Sequence, residues 1–519
     1  MTNERPNILL ILTDEERAQP DYEVDALADF RRERLPSRSS LEQEGMQLAH
    51  HYTAATACVP SRATIFTGQY PSLHRVRNTD GLGKSATGPW MKWLDVGGLP
   101  TMGHWFRAAG YRTFYRGKWH VTHADLEAPA GGSLMTNDQD GNVLDDAVAR
   151  YQRAAMLEPY GFSGWIGPEP HGADPANAAV VRDSIFAEQV SKVFEGLGQE
   201  GEDGSPWLAV ASFLNPHDIV FSGEPWKLFG FPPVPDWVPD VPEAPSQQDS
   251  LDDRPACQKA FRDVWPKMLF PQPTDMLFRR LYHFLQAMVD DSIARILESL
   301  ERNGLAENTI VVHTADHGDQ LGAHGGLVEK WHNAYEESIR VPFVARGPGI
   351  NPGRTEVPTS HIDLLPTLLG LAGASADQLS DQLPGEFSQV RSLPGQNLSG
   401  VLRGHEQPAQ KPIYFMTEDE ISRGDIHQGA ISHELFEAVP PPGCVESVVA
   451  EFEGNLWKLN RYYDADQRND EEDWELHDLT SDPHERDNKY ADALDTRHAL
   501  EALLEEERAN KRLTPNGAL

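Results

Sequence analysis

The sequence predicts an α/β protein: a large mixed, mostly parallel sheet sandwiched by helices, with a smaller C-terminal domain holding an antiparallel sheet and a helix. Three observations carry this. Apolar runs at residues 8–12, 207–214 and 309–314 have the make-up of strands buried on both faces. Helical segments alternate with these runs, as in a doubly wound core. Beyond about residue 404 the pattern changes to hairpin-like strands followed by one helix.

Taken in order, Ile8, Leu9, Leu10, Ile11 and Leu12 form the first strand, which ends at Thr13, Asp14 and Glu15. A short helix begins at 39–44. Pro60 suits the first turn of a helix, where its missing N–H has no partner to lose, so a helix follows Cys58. Residues 78–81 read as a turn, 102–109 as a helix stopped by Gly110, and 111–115 as a strand leading into Gly117. Residues 184–197 are helical, and the strand at 207–214 ends at Asn215, Pro216, His217 and Asp218. The segment 223–273, rich in proline and tryptophan, shows no period and reads as a long loop, functional or disordered. Its Trp226, Phe231, Trp237 and Trp265 either line an aromatic pocket or anchor the loop. A long helix spans 276–303, a strand 309–314 ends at Asp316 and His317, and a further strand begins at 341–344. Residues 358–371 read as a loop and then a helix. A hairpin at 447–452 and 456–463, closed by 474–479, precedes a helix over 494–511. The expected division is a catalytic domain over 1–404 and a small domain over 405–519.

The chain has 519 residues, 80 acids against 45 bases, a net charge of −35 and three cysteines. That balance excludes nucleic acid and anionic membrane as partners, since both need a basic surface. Cys58, Cys257 and Cys444 make no disulfide framework. No signal-like or membrane-spanning run is present, and a cytoplasmic protein is expected. So acidic a chain that handles an anion must concentrate basic groups locally.

Such groups are present. Asp14, the Lys118/His120 pair, His217 and the Asp316/His317 pair each follow the end of a separate expected strand. In an open parallel sheet, ligands bind along that edge. Asp14, Asp316 and His317 suit a divalent cation, the imidazole shifting preference from calcium toward manganese. Arg62, Lys118, His120, His217 and Lys330 would supply the local positive field. Cys58 would sit just before a helix N-terminus, where free N–H groups favour negative charge.

The run Cys58-Val59-Pro60-Ser61-Arg62, continued by Ala63 through Thr67, Gly68 and Pro71, resembles the signature of the type I sulfatases of the alkaline phosphatase superfamily. Gly117-Lys118-Trp119-His120, Pro216-His217, and Lys330 ahead of Tyr335-Glu336-Glu337-Ser338-Ile339-Arg340-Val341-Pro342 resemble further elements of that family. The resemblance implies that Cys58 is oxidised to Cα-formylglycine by a formylglycine-generating enzyme, its hydrate acting as nucleophile. It implies one divalent ion, Ca²⁺ or Mn²⁺, held by Asp14, residue 58, Asp316 and His317. Glu15 stands where many members carry a second aspartate, and its role as a ligand stays open. Further roles implied are sulfate binding by Lys118 and Lys330, proton uptake by Asp316 and His120, and leaving-group protonation by His217. Arg62 would orient the nucleophile loop. Asn78 matches an asparagine that contacts the oxyanion in relatives near choline sulfatase and the phosphonate monoester hydrolases.

The expected activity is hydrolysis of small sulfate monoesters. Phosphonate monoester or phosphodiester hydrolysis is the alternative: Lys118 and His120 favour the first, and His317 leans toward the second. A non-catalytic metal-binding fold is the third reading. A homo-oligomer is expected, with the C-terminal helix either at the contact or covering the small sheet.

Overall fold

The structure is a computed structural model that describes residues 5–81, 84–170, 174–200, 204–268, 272–383, 385–420, 439–466 and 470–515. Its main sheet has seven strands among the described residues. In chain order they are β1 (Asn7–Asp14), β2 (Met46–Leu48), β3 (Arg112–Gly117), β4 (Trp207–Pro216), β5 (Thr309–Ala315), β6 (Phe343–Arg346) and β7 (Gly353–Thr355). The spatial order is β3-β4-β1-β5-β6-β2-β7. The first four run parallel, with Leu10 opposite Val210 on one side and Val312 on the other. β6 is antiparallel to both β5 and β2, which makes the sheet mixed.

Each face of β1 is buried, because successive side chains point to opposite sides of the sheet. Ile8, Leu10 and Leu12 pack with α1 (Cys58–Thr67), α2 (Met102–Ala108) and the helix over Leu364–Leu371. Leu9 and Ile11 pack with α3 (Ala179–Glu200) and the long helix Met276–Arg302, through Phe186, Val190, Ile293 and Ile296. Such two-sided burial accounts for the unbroken apolar run in the sequence.

Several expectations need correction. The segment 223–273 is not one loop: it holds a short helix, Glu224–Leu228, and a longer one, Ala256–Met268. Cys257, Phe261, Val264 and Trp265 give the longer helix a buried stripe at helical spacing, set among prolines and polar residues that hid it. The aromatic residues of this segment are mostly anchors. Trp226 packs on Phe231, Trp265 on Phe261 and Trp331, and Trp237 on Phe30 and Phe284. The strand expected from residue 341 is split at Pro342, which has no N–H for a ladder, into Arg340–Val341 and Phe343–Arg346.

The small sheet is antiparallel and has four strands among the described residues: β8 (Ile413–Thr417), β9 (Cys444–Phe452), β10 (Asn455–Tyr463) and β11 (Asp473–Asp478). β8 was not anticipated. One face of this sheet, with Phe415, Val445 and Val449, joins an apolar cluster that includes Phe261, Trp331 and Tyr335. The other face, with Tyr414 and Val448, is covered by Leu500 and Leu504 of the C-terminal helix Leu494–Lys511. That helix therefore covers the small sheet. Among the described residues, no helix is long and apolar enough to cross a membrane.

Candidate active site

Four neighbouring parallel strands end side by side. β1 delivers Asp14, β3 runs into Lys118, β4 into His217 and β5 into Asp316 and His317. Cys58 is the first residue of α1, with Ala57 as its cap, rather than lying ahead of the helix. The turn after β3 requires glycine: Gly117 has φ 95°, and a Cβ there would meet the Ser212 carbonyl oxygen at 1.8 Å. Gly318, after His317, is equally constrained by the Glu337 carbonyl at 2.0 Å and Arg17 Cβ at 3.0 Å.

Asp14, Cys58, Asp316 and His317 are all buried, and one ligand atom from each lies within 4.8 Å of the others. Cys58 Sγ is 3.1 Å from His317 Nε2 and 3.7 Å from Asp14 Oδ1. His317 Nδ1 lies 2.9 Å from the Gly318 carbonyl, so Nδ1 carries the hydrogen and the Nε2 lone pair faces the cluster. Two carboxylates, an imidazole nitrogen and residue 58 have the donor chemistry of a divalent-cation site.

Arg62 ties this cluster together. Its Nη2 donates to Asp14 Oδ2 at 3.0 Å and its Nε to Asp316 Oδ2 at 2.9 Å. Nη1 donates to the Lys118 carbonyl and to Ser212 Oγ, each at 2.8 Å. Lys118 Nζ lies 2.5 Å from Asp14 Oδ2. Burial opposes the charge on Asp14, but Lys118, His217 and Arg62 hold its carboxyl well below the ordinary range. The thiol of Cys58 is pushed well up by burial and by Asp14, opposite to what a helix N-terminus alone would do.

Glu15 does not join the Cys58 cluster. Its carboxylate is grouped with His217 and Asp14, and separately with Asp319 and Glu329. Lys330 Nζ sits 3.0 Å from Glu15 Oε1 and 2.8 Å from Glu329 Oε2. His217 Nε2 is 3.7 Å from Glu15 Oε2. His120 Nε2 lies 2.6 Å from Asp80 Oδ1, and the backbone of Trp119 and His120 donates to Glu169. Asn78 is partly exposed and its amide donates to the Trp90 carbonyl at 3.1 Å. Its neighbour Thr79 makes the contact to α1, accepting from Val59 N–H at 3.3 Å.

Asp80, Thr79, Glu169, Ser212, Asp319 and Glu329 were not singled out in the sequence. Asp80 and Asp319 sat inside segments already marked, three residues or fewer from flagged positions. Glu169 and Ser212 had no such signal.

A family model described as Sulfatase matches residues 6–374. The chain belongs to the sulfatase family. Among its relatives is the "Uncharacterized sulfatase YidJ" of Escherichia coli K12, 27% identical over 92% of this chain and 84% of that protein. A choline-sulfatase of Rhizobium meliloti is 28% identical over 73% of this chain and 70% of its own length. The crystal structure of a phosphonate monoester hydrolase of Agrobacterium radiobacter shares the fold, with a TM-score of 0.63, 23% identity, and coverage of 98% and 96% of the two chains. This sulfatase is thus a sulfuric ester hydrolase.

In the sulfatase, the groups around residue 58 differ in exposure. Cys58, Lys118 and Lys330 are 2% exposed or less. The His217 side chain is 28% exposed. Burial pushes His217 well below the ordinary imidazole value, against the pull of Asp14.

Proposed function

We propose that this sulfatase cleaves small sulfate monoesters at residue 58, matured to formylglycine by a formylglycine-generating enzyme, beside one calcium or manganese ion. The observation that carries this reading is the convergence of four strand ends on Cys58, with His317 Nε2 3.1 Å from its sulfur. The raised thiol supports it too, because a buried protonated cysteine is a poor nucleophile.

Asp14, Asp316 and His317 would hold the ion together with residue 58, and the imidazole favours a manganese-like ion over calcium. When bound, the ion and the hydrated aldehyde would supply a nucleophilic oxygen at neutral pH. Asp316 takes the proton of the attacking hydroxyl at its carboxylate. Lys118 Nζ and Lys330 Nζ bind the sulfate oxygens and offset charge as it builds. His217, whose side chain is partly exposed, delivers a proton to the departing alcohol or phenol. His120 accepts the last proton. With its Nε2 hydrogen directed at Asp80, Nδ1 is the accepting nitrogen. Arg62 keeps Asp14 and Asp316 in register and touches no substrate. Asn78 reaches a sulfate oxygen only by leaving the Trp90 carbonyl.

Phosphonate monoester or phosphodiester hydrolysis is the second reading, favoured by His317 in the ligand set. Steady-state kinetics of an aryl sulfate and an aryl phosphonate monoester separate the two. A higher kcat/KM for the sulfate is expected, and a far higher value for the phosphonate would overturn the first reading.

A further inference from the structure

The small sheet grips the approach to residue 58. β8 runs beside residues 54–56, where Met416 N–H donates to the Ala54 carbonyl at 3.1 Å and the Thr417 hydroxyl donates to the Thr56 carbonyl at 2.6 Å. Just past the end of β8, Asp419 Oδ2 accepts from Thr79 N–H at 2.8 Å, across 340 residues of chain. Thr79 Oγ1 in turn accepts at 3.3 Å from the N–H of Val59, the residue after Cys58. The other oxygen of Asp419 accepts from Lys84 Nζ at 3.0 Å, and Lys84 also donates to the Glu420 carbonyl at 2.8 Å. Thr79, Lys84 and Asp419 are all buried.

α1 needs that hydroxyl. The first N–H groups of a helix have no partner within it, and a side-chain oxygen at the cap usually meets one of them. Here the cap is Ala57, whose side chain has none to offer. Ser61 N–H meets the Ala57 carbonyl at 3.0 Å, and Pro60 has no N–H. Residues 58 and 59 are left, and Thr79 supplies the oxygen for Val59 from a different loop. The hydroxyl stands there because Asp419 holds the backbone N–H of the same threonine. The buried carboxylate is itself tolerated because a buried lysine pairs with it.

We propose, on the reading of residue 58 as the nucleophile, that Asp419 is a positioning residue for the hydrolysis. Held by Lys84, it sets the Thr79 hydroxyl that anchors the start of α1, and with it the angle at which residue 58 meets the ester. It acts on the reaction only through Thr79. A reacting group displaced by about 1 Å loses about a hundredfold in rate. β8 keeps its own bonds to Ala54 and Thr56 when Asp419 is changed, so the loss should appear in kcat rather than in the fold.

The test compares two double variants of the full chain, made in a host able to install formylglycine: Lys84→Met/Asp419→Asn and Lys84→Met/Asp419→Leu. Both are neutral at these positions, so neither buries a charge unpaired. Only the first keeps an oxygen for Thr79 N–H. With an aryl sulfate, kcat of the first should stay close to native. That of the second should fall about ten- to hundredfold with KM little changed. Adding Thr79→Val to the second should cost nothing more, because both changes break one link. Equal kcat in the two double variants, or losses that multiply, overturns the proposal. If the leucine variant does not fold, Asp419→Glu takes its place, keeping the charge and shifting the oxygens by one methylene. Native kcat there, or a loss that multiplies with that of Thr79→Val, overturns the proposal. The mass of the residue 58 peptide is taken in each preparation. Aldehyde throughout with equal kcat overturns this proposal alone, and active protein without the aldehyde overturns the reading of residue 58 and the proposal with it.

Discussion

Lys330 Nζ is held 3.0 Å from Glu15 Oε1, across 315 residues of chain, so the Glu15 carboxylate already faces a cation of the protein's own. The lysine is buried, lies 4.7 Å above the Trp331 ring, and also meets Glu329. Burial and the neighbouring Glu329 push the Glu15 carboxyl well up, while Lys330 draws it down. Glu15→Gln should leave the metal content per chain unchanged. It should lower kcat/KM for an aryl sulfate by about tenfold, the size of one charge-assisted hydrogen bond. Metal analysis beside kinetics checks this, and loss of the ion would return Glu15 to the ligand set.

Arg62 is fully buried between Asp14 and Asp316. Arg62→Ala leaves two buried carboxylates facing each other across the ligand cluster. The expected cost is about 3–5 kcal/mol of stability. It should appear as a lower midpoint in denaturant and weaker metal retention. An unchanged midpoint would mean the two ion pairs do not hold the site.

Asp80→Asn keeps the shape of the side chain but weakens its hold on His120, 2.6 Å away. We expect kcat to fall by about ten- to hundredfold, the loss of a charge-assisted hydrogen bond, with little change in thermal midpoint. A large fall in the midpoint with kcat intact would make Asp80 structural.

Asp183 on α3 accepts from Leu214 N–H at 2.8 Å and Asn215 N–H at 3.0 Å, fixing the end of β4 just before His217. Burial pushes its carboxyl up to about 8, against the pull of those two donors. The folded value lies above the unfolded one. The stability it contributes is therefore complete below the unfolded value and is lost as pH rises through about 8. The midpoint of the native protein, minus that of Asp183→Asn, should shrink between about pH 5 and about pH 8. A constant difference would contradict the raised carboxyl.

The strand ends were legible because a parallel sheet buries both faces, so β1, β4 and β5 read as apolar runs whose last residues face the ligand edge. β8 was not legible, since Ile413–Thr417 gains its partner only through β9, thirty residues on. The helix Ala256–Met268 was hidden by the prolines and tryptophans around it. Among site groups, residues in short chemical motifs could be named in advance. Glu169 and Ser212 could not, because they support Trp119, His120 and Arg62 from far along the chain and look ordinary in place. The role of Glu15 stayed open in the sequence for a related reason: neither its left-handed backbone, φ 64°, nor its pairing with Lys330 can be read from its place beside Asp14.

The most direct test is the mass of the peptide containing residue 58, from protein that hydrolyses an aryl sulfate and was made in a host able to install formylglycine. The account predicts the aldehyde in place of the thiol, in proportion to activity. An active protein whose residue 58 is wholly unmodified cysteine would contradict it.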